Sequence, residues 1–360
     1  MNDEFYMSLA LNEAWKYQLL TYPNPAVGCV IVDKFGKILS ISAHKKAGFL
    51  HAEANAVFMA LCKINSNFLN KFIDEYKAKF GTDFNKFNSK FDQILDFESL
   101  NTDFVYEFII KNHENLLKNA KAFVSLEPCS HTGKTPPCAN LLLNLGLEEV
   151  IIGSKDRNKI ACGGGEILKN NGVAVKFGVL KERCDELLEP FLAWSNGNFS
   201  FFKLAMSLNG VITGGIISSE ISRTHSHEIR SLIDLLVIGG NTVRTDKPIL
   251  DARLAKNPKA PDVLIYSNSS KFDPNLPLFQ IKNRQVNIKN SLNLAWEKKF
   301  VMFEGGENFL KNLPTNIKWL LIYRSNRFLN EKSLNLDLNL KILHQENFGD
   351  DTKIWYKIIH

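Results

Sequence analysis

Leu50-His51-Ala52-Glu53-Ala54, taken with Ser125-Leu126-Glu127-Pro128-Cys129-Ser130-His131-Thr132-Gly133-Lys134-Thr135-Pro136-Pro137-Cys138, decides how the N-terminal half of the chain must fold. One imidazole and two thiolates are three ligands for a tetrahedral zinc, with the fourth position left to water. Those ligands serve one metal only if two distant stretches meet in space. Glu53, two residues past His51, can move protons there without being a ligand itself. A purely structural zinc site ordinarily presents four protein ligands, and no fourth cysteine or histidine here has ligand spacing, so the pattern favours catalysis.

The flanking residues supply the scaffold. Met7, Ala10, Leu11, Ala14 and Trp15 recur at helical spacing, with Asp3 as the expected N-cap and Tyr22-Pro23-Asn24-Pro25 as the terminator. Val27 to Val32 and Lys37 to Ile41 are apolar, β-branched runs around the turn residues Asp33 and Gly36, which predicts a hairpin. His51 falls at the start of a helix carrying Ala52, Ala54, Ala56 and Met59. The run Ala122 to Ser125 predicts a strand that ends at Pro128-Cys129. Pro137 opens a helix through Cys138, Leu141, Leu142 and Leu145. Val150 to Gly153, a helix near Glu166 to Leu168, and Val173 to Val175 continue the alternation. The expected product is a three-layer α/β domain with a mixed sheet, antiparallel at the hairpin and parallel at the crossovers.

Between about residues 62 and 120 the composition turns to Asn, Lys and Phe. Phe68, Phe72, Tyr76, Phe80, Phe84, Phe87 and Phe91 step by three or four, interrupted at Gly81, with Asp83 able to cap a second helix. The stripe reads as a packing face in preference to an aromatic nucleic-acid platform. The segment is an expected helical insertion between the halves of the zinc site, with no function legible in its residues.

A further helix is expected to end near Leu188, and Asn196-Gly197-Asn198 reads as a linker. New strands follow at Phe201 to Met206, Leu235 to Gly240, Val263 to Tyr266, Phe300 to Phe303 and Trp319 to Tyr323, with helices near 225 to 233 and 307 to 312. Strands separated by helices again imply α/β, so two domains are expected, 1–195 and 196–360. Gly239-Gly240 and Gly305-Gly306 close two of the strands, where bare backbone can approach a nucleotide or simply turn.

The whole-chain properties are compatible with a phosphorylated ligand. The chain has 360 residues, 45% of them hydrophobic and 23% charged, with a net charge of +6 spread over many lysines. That balance does not single out nucleic acid as a partner. The first residues are acidic and no apolar run approaches the ~20 residues of a membrane span, so a cytoplasmic protein without a membrane partner is expected. Six cysteines are too scattered for a disulfide framework, and only Cys129 and Cys138 sit in a ligand-like context.

His-x-Glu followed by Pro-Cys and a second cysteine matches the zinc base-deaminase signature, except that eight residues separate the cysteines here in place of two. With that spacing the whole chain resembles the bifunctional riboflavin-biosynthesis family. That family joins a diaminohydroxyphosphoribosylaminopyrimidine deaminase to a 5-amino-6-(5-phosphoribosylamino)uracil reductase. The similarity of the first half lies in Tyr22 to Pro25, Val27 to Val30, His44 before Ala47-Gly48, the His51-Ala52-Glu53 triplet and the Glu127-to-Cys138 motif. In the second half it lies in Lys203 to Gly210, Gly239 to Val243 with Asp246-Lys247-Pro248, Leu250 to Arg253, and Phe303 to Gly306.

The resemblance implies a cytidine-deaminase-like domain followed by a dihydrofolate-reductase-like α/β domain. It makes His51, Cys129 and Cys138 zinc ligands and Glu53 the acid/base. It puts Asn24, His44, His131, Lys134 and Thr135 around the pyrimidine and its ribose phosphate. In the second half it sets Lys203, Arg230, Asp246, Arg253 and Glu304 around the ribose phosphate, and Thr242, Gly305 and Gly306 against NADPH. The implied sequence is hydrolytic deamination of 2,5-diamino-6-ribosylamino-4(3H)-pyrimidinone 5′-phosphate, then reduction of the ribosyl group to ribityl phosphate. A homodimer through the reductase half is also implied.

Three departures stand in the second half. Asn209 occupies a position where the family has aspartate, Lys247 replaces an acidic residue after Asp246, and a Trp-Ile-Thr is absent near residues 222 to 225. The departures leave two readings of that half, a diverged working reductase or a degenerate domain on a deaminase-only enzyme. An RNA base deaminase with an RNA-binding C-terminal domain is the rival from another class, opposed by the cysteine spacing and the Glu304-Gly305-Gly306 strand end.

Overall fold

The computed structural model describes residues 2–82, 100–133, 135–158 and 161–359. The chain divides into two units, Met1–Glu189 and Pro190–His360. Among the described residues no helix is long and apolar enough to cross a membrane.

The first unit runs α1 (Asp3–Trp15), β1 (Gly28–Val32), β2 (Ile38–Ala43), α2 (Ala52–Ile64), α3 (Ser66–Phe80), α4 (Thr102–Asn112), β3 (Lys121–Leu126), α5 (Cys138–Leu143), β4 (Glu149–Ser154), α6 (Gly164–Asn170) and β5 (Ala174–Phe177). Its sheet has the order β2-β1-β3-β4-β5. β1 lies antiparallel to both neighbours, and β3, β4 and β5 are parallel. The expected hairpin is present: Asp33 Oδ1 accepts from the backbone N–H groups of Phe35 and Lys37, and Gly36 takes the positive φ of 84° that the turn requires. Asn2, one residue before the expected Asp3, caps α1 by accepting from Phe5 N at 3.0 Å.

Alternating burial explains the three layers. Cys29, Ile31, Ala122, Val124, Val150 and Ile152 face one way and join the core formed with α2 to α5. On the other face Gly28 lies so close to α1 that a Cβ there would stand 1.9 Å from Ala10 O. Tyr6 packs on Phe123 on that side, with ring centroids 4.9 Å apart.

The insertion folds as the aromatic period predicts. Phe58, Phe68, Phe72, Tyr76, Phe80, Phe104 and Phe108 form a ladder of ring contacts across α2, α3 and α4. Gly81 ends α3 at φ 69°. Asp83, Phe84, Phe87 and Phe91 lie outside the described residues.

The helix expected to stop near Leu188 instead runs from Lys181 to Asn196, through Pro190. Pro190 removes one hydrogen bond of the helix ladder without ending it. Asn198 is no loose tether either, because its side-chain amide donates to Ala295 O and Lys298 O at 2.9 and 2.6 Å.

The second unit contains β6 (Phe199–Met206), a helix Glu220–Arg230, β7 (Leu235–Gly239), a helix Gly240–Asp246, β8 (Asp262–Tyr266), β9 (Val286–Lys289), β10 (Phe300–Glu304), a helix Glu307–Lys311, β11 (Trp319–Ser325), β12 (Asn339–Phe348) and β13 (Asp351–Ile359). The sheet order is β12-β13-β11-β6-β10-β7-β8-β9, with β13 alone running against the rest. Central strands such as β7 are buried on both faces, hence their continuous apolar runs. β9, β12 and β13 were not anticipated from the sequence. This is the mixed α/β architecture of the dihydrofolate-reductase type, and it sets β6 beside β10 so that Lys203 and Glu304 become neighbours.

Candidate functional sites

His51 is the N-cap of α2, Cys129 follows β3 and Cys138 is the first residue of α5. Three element ends therefore aim at one point. The ligand atoms of His51, Cys129 and Cys138 all lie within 4.8 Å of one another. His51 Nδ1 stands 3.6 Å from Cys129 Sγ and 3.4 Å from Cys138 Sγ, which is the compactness a tetrahedral metal needs. Its other nitrogen, Nε2, is 3.1 Å from Thr135 Oγ1, so Thr135 orients the imidazole from behind.

The Cys129 thiol is pulled down to about 4 by a hydrogen bond from Cys138, with burial opposing and the His51 imidazole assisting. Glu53 is 4% exposed, and burial followed by the nearby Cys129 charge pushes its carboxyl up to about 7. A carboxyl in that range can both take and return a proton near neutrality.

His44 and Asn24 form the adjoining wall. Asn24 Nδ2 lies 3.1 Å from His44 Nε2, and His44 Nδ1 lies 3.0 Å from Leu50 O, which together fix the neutral Nδ1–H tautomer. Burial holds the His44 imidazole down to about 4, the neighbouring His51 adding to the effect. The His44 and His51 rings meet edge to face at 5.4 Å. His131 is half-buried, and its Nδ1 has no hydrogen-bond partner among the described residues. Lys134 lies outside the described residues.

Two residues that sequence reasoning gave no role hold this centre together. The Glu127 carboxylate accepts from the backbone N–H groups of Asp156, Gly163 and Gly165, tying the end of β3 to the start of α6. Tyr106, from the insertion, brings its hydroxyl 3.1 Å from Cys138 Sγ. Glu127 stands inside the quoted motif and could have been noticed as a buried acid. Nothing local to Tyr106 signals its partner.

In the second unit, Arg230 donates to both oxygens of Glu304, and Lys203 Nζ is 3.6 Å from Glu304 Oε1. Burial alone would raise the Glu304 carboxyl, but Arg230 and Lys203 overcome it and hold the group down to about 2. Arg230 also donates to Asp251 O, and Asp251 pairs with Arg253 at 2.6 Å, the arginine being more than half exposed. His227, not singled out from the sequence, lies 4.0 Å from Asp251 and accepts from Leu254 N. Lys203, Arg230, Glu304 and Arg253 thus form one connected group, whereas Asp246 is exposed at the end of its helix.

A separate cleft of about 920 Å³, lined in part by Gly240, Thr242, Arg244, Ser267, Gly306 and Lys332, contains two of the three expected cofactor positions, Thr242 and Gly306, but not Gly305. A Cβ on Gly306 would project into open space, whereas one on Gly305 would stand 2.9 Å from the Phe309 ring. The glycines have different local reasons. Asn209 is anchored as an amide: it accepts from Leu329 N at 3.0 Å and donates to Leu329 O at 2.9 Å, the second of which an aspartate could not do.

Comparison with known proteins agrees with this geometry. Residues 1–154 match the family described as the cytidine and deoxycytidylate deaminase zinc-binding region, and residues 199–350 match the RibD C-terminal domain. The riboflavin biosynthesis protein RibD of Actinobacillus pleuropneumoniae is 32% identical over 268 residues, which is 72% of this chain and 57% of that protein. RibD of Aquifex aeolicus is 31% identical over 267 residues, 72% of this chain and 60% of its own length. The chain thus spans a little under three fifths of the first of these relatives.

Among solved structures, the Thermotoga maritima diaminohydroxyphosphoribosylaminopyrimidine deaminase/5-amino-6-(5-phosphoribosylamino)uracil reductase superposes with TM-score 0.58 at 23% identity, covering 99% of both chains. RibD of Acinetobacter baumannii gives 0.57 at 21%, again over 99% of both. At that identity the likeness shows the fold. Fold, three-ligand centre and the two matched regions define a protein with a zinc-deaminase domain followed by a reductase-type domain. In sequence the chain is similar to the RibD riboflavin-biosynthesis proteins over both matched regions.

Proposed function

We propose that this chain is a bifunctional enzyme of riboflavin biosynthesis. The unit expected over 1–195 deaminates a phosphoribosyl diaminopyrimidinone, and the unit over 196–360 reduces the ribosyl group of the product with NADPH. The observation that carries the reading is the convergence of His51, Cys129 and Cys138 on one point beside a buried glutamate.

The donor set fits zinc, since two thiolates and one imidazole leave a position open. When bound, zinc supplies the Lewis acidity that generates hydroxide near neutral pH. The chain's own residues do the rest. Glu53 takes the proton of the attacking water and returns protons to the ring nitrogen and to departing ammonia. Thr135 holds the His51 ring, and His44 with Asn24 offers a neutral polar wall to the pyrimidine. His131 and Lys134 are read as contacts to the ribose phosphate.

In the second unit the cleft volume and the Arg244 and Lys332 side chains suit a phosphorylated dinucleotide. Thr242 and the Gly305-Gly306 backbone are assigned to it. NADPH supplies the hydride, and the protein supplies geometry. Lys203, Arg253 and Asp246 are assigned to the ribose phosphate, with Arg230 fixing Glu304 beside them. We extend the reading to a cytoplasmic homodimer joined through the second unit, which sedimentation of the purified protein tests.

The experiment for the whole reading is a coupled assay on the phosphoribosyl diaminopyrimidinone. Ammonia release followed by NADPH oxidation that depends on the deaminated product is the expected result. Deamination with no NADPH consumption would leave a deaminase with an inactive second domain, and neither step would end the proposal.

A further inference from the structure

Among the described residues of the insertion, Tyr106 brings its side chain to the metal centre. Tyr106 lies on α4, between the ladder residues Phe104 and Phe108, and is 1% exposed. Its hydroxyl stands 3.1 Å from Cys138 Sγ, which is itself fully buried. A metal-bound thiolate has no proton to give, so the phenol must be the donor in that contact. From these positions we infer that Tyr106 is a positioning residue of the deaminase centre, hydrogen-bonding to the Cys138 thiolate and tuning the metal it holds. The inference rests on the zinc reading of the site.

Two physical consequences follow. A donor on a ligating sulfur withdraws electron density from it, so the metal receives less charge from Cys138 and becomes the stronger Lewis acid. The same contact fixes the rotamer of Cys138 at the start of α5. The Phe68, Phe72, Phe104 and Phe108 rings pack α4, the helix that carries Tyr106, against α3. The insertion, which lies between the two halves of the ligand set in sequence, thereby delivers an outer hydrogen bond to Cys138.

The test uses the full chain with Tyr106→Phe, which keeps the ring and removes only the hydroxyl. Cobalt(II) replaces zinc, and the thiolate-to-cobalt charge-transfer bands are recorded, together with zinc retention against a competing chelator. The expected result is a shift of those bands to longer wavelength and zinc binding weakened by roughly 10- to 100-fold. Phe108→Leu serves as the packing control and should lower thermal stability while leaving the band position unchanged.

Identical bands and zinc retention in wild type and Tyr106→Phe would overturn the inference while leaving the zinc reading intact. Absence of thiolate bands in the wild type would overturn the zinc reading itself, and the inference with it. Should Tyr106→Phe fail to fold, 3-fluorotyrosine placed at position 106 keeps the hydroxyl and makes it a stronger donor. The bands must then move to shorter wavelength, and an unmoved band would again overturn the inference.

Discussion

Arg230 closes on Glu304 through both carboxylate oxygens, its Nη2 lying 2.8 Å from each and its Nε 3.1 Å from Oε1. Both side chains are nearly buried, at 12% and 11% exposure, so the pair is shielded from water and from salt. Breaking one side of such a pair leaves a stranded charge. Arg230→Leu is therefore expected to destabilise the second unit by about 3–5 kcal/mol, read by denaturant unfolding at neutral pH. The pH dependence has a definite sign. The Glu304 carboxyl titrates at about 2 in the folded chain, below its unfolded value of about 4.3, because Arg230 and Lys203 outweigh burial. Its contribution, on the order of 3 kcal/mol, is fully present above pH ~4.3 and is lost as pH falls towards 2. Glu304→Gln should flatten that acid limb, and an unchanged limb would count against the pair.

Glu53 sits where the first chemical step needs it, buried and held near neutrality at about 7 by its surroundings. Glu53→Gln removes the proton carrier and keeps shape and polarity. Ammonia release should fall by roughly 10²- to 10⁴-fold, the range associated with a positioned acid/base. Zinc content, measured by atomic absorption, should be unchanged, since Glu53 is not among the three ligands. Turnover at the wild-type rate in this variant would remove Glu53 from the mechanism.

How far the sequence reached follows from the range of the interactions involved. His51 and Glu53 are two residues apart on one helix start, and Cys129 and Cys138 bracket one loop, so local spacing announced them. The mixed sheet, the layer count of the first unit and the helical aromatic stripe followed from period-2 and period-3.6 patterns for the same reason. Tyr106 was invisible because its partner is 32 residues away and the register between them is set by the packing of α4 on the core. The resemblance implies a substrate contact for Thr135, and its hydroxyl contact with His51 Nε2 was a further role that the spacing did not announce. The Lys181–Asn196 helix outran its expected end because tertiary contacts override a proline's local preference. β12 and β13 carry alternations too irregular to rank as strands alone, including a register shift between Ile342 and His344.

Gly164 makes the approach that brings α6 against the Cys129 loop. A Cβ there would lie 1.8 Å from Pro128 O and 3.2 Å from the Ala139 Cβ, with backbone on one side that cannot swing away. Gly164→Ala should push Pro128-Cys129 outward, costing about 1–3 kcal/mol in stability, the usual range for an overpacked site. Because Cys129 is one of the three metal-site residues, the displacement should also show as faster zinc loss to a chelator at 25 °C. A variant that unfolds at the wild-type midpoint and retains zinc equally well would mean the loop is more compliant than these distances imply.

Lys203 separates a binding role from a structural one within the buried triad. Its ammonium is 3.6 Å from Glu304 Oε1, but Glu304 keeps its bidentate Arg230 partner when the lysine is removed. Burial pulls the Lys203 ammonium below its ordinary range while Glu304 opposes that, so the charge is costly to hold and is retained for something other than packing. Lys203→Met preserves the aliphatic length and should leave the folded unit intact, with denaturation midpoints close to wild type. Product-dependent NADPH oxidation should fall by about 10- to 100-fold in kcat/KM, corresponding to loss of one hydrogen bond to a charged group at about 1.5–3 kcal/mol. Ammonia release from the first unit should be unaffected. If Lys203→Met instead unfolds the second unit while Arg230 and Glu304 are untouched, the lysine is a structural counter-charge and its assignment to the ribose phosphate fails.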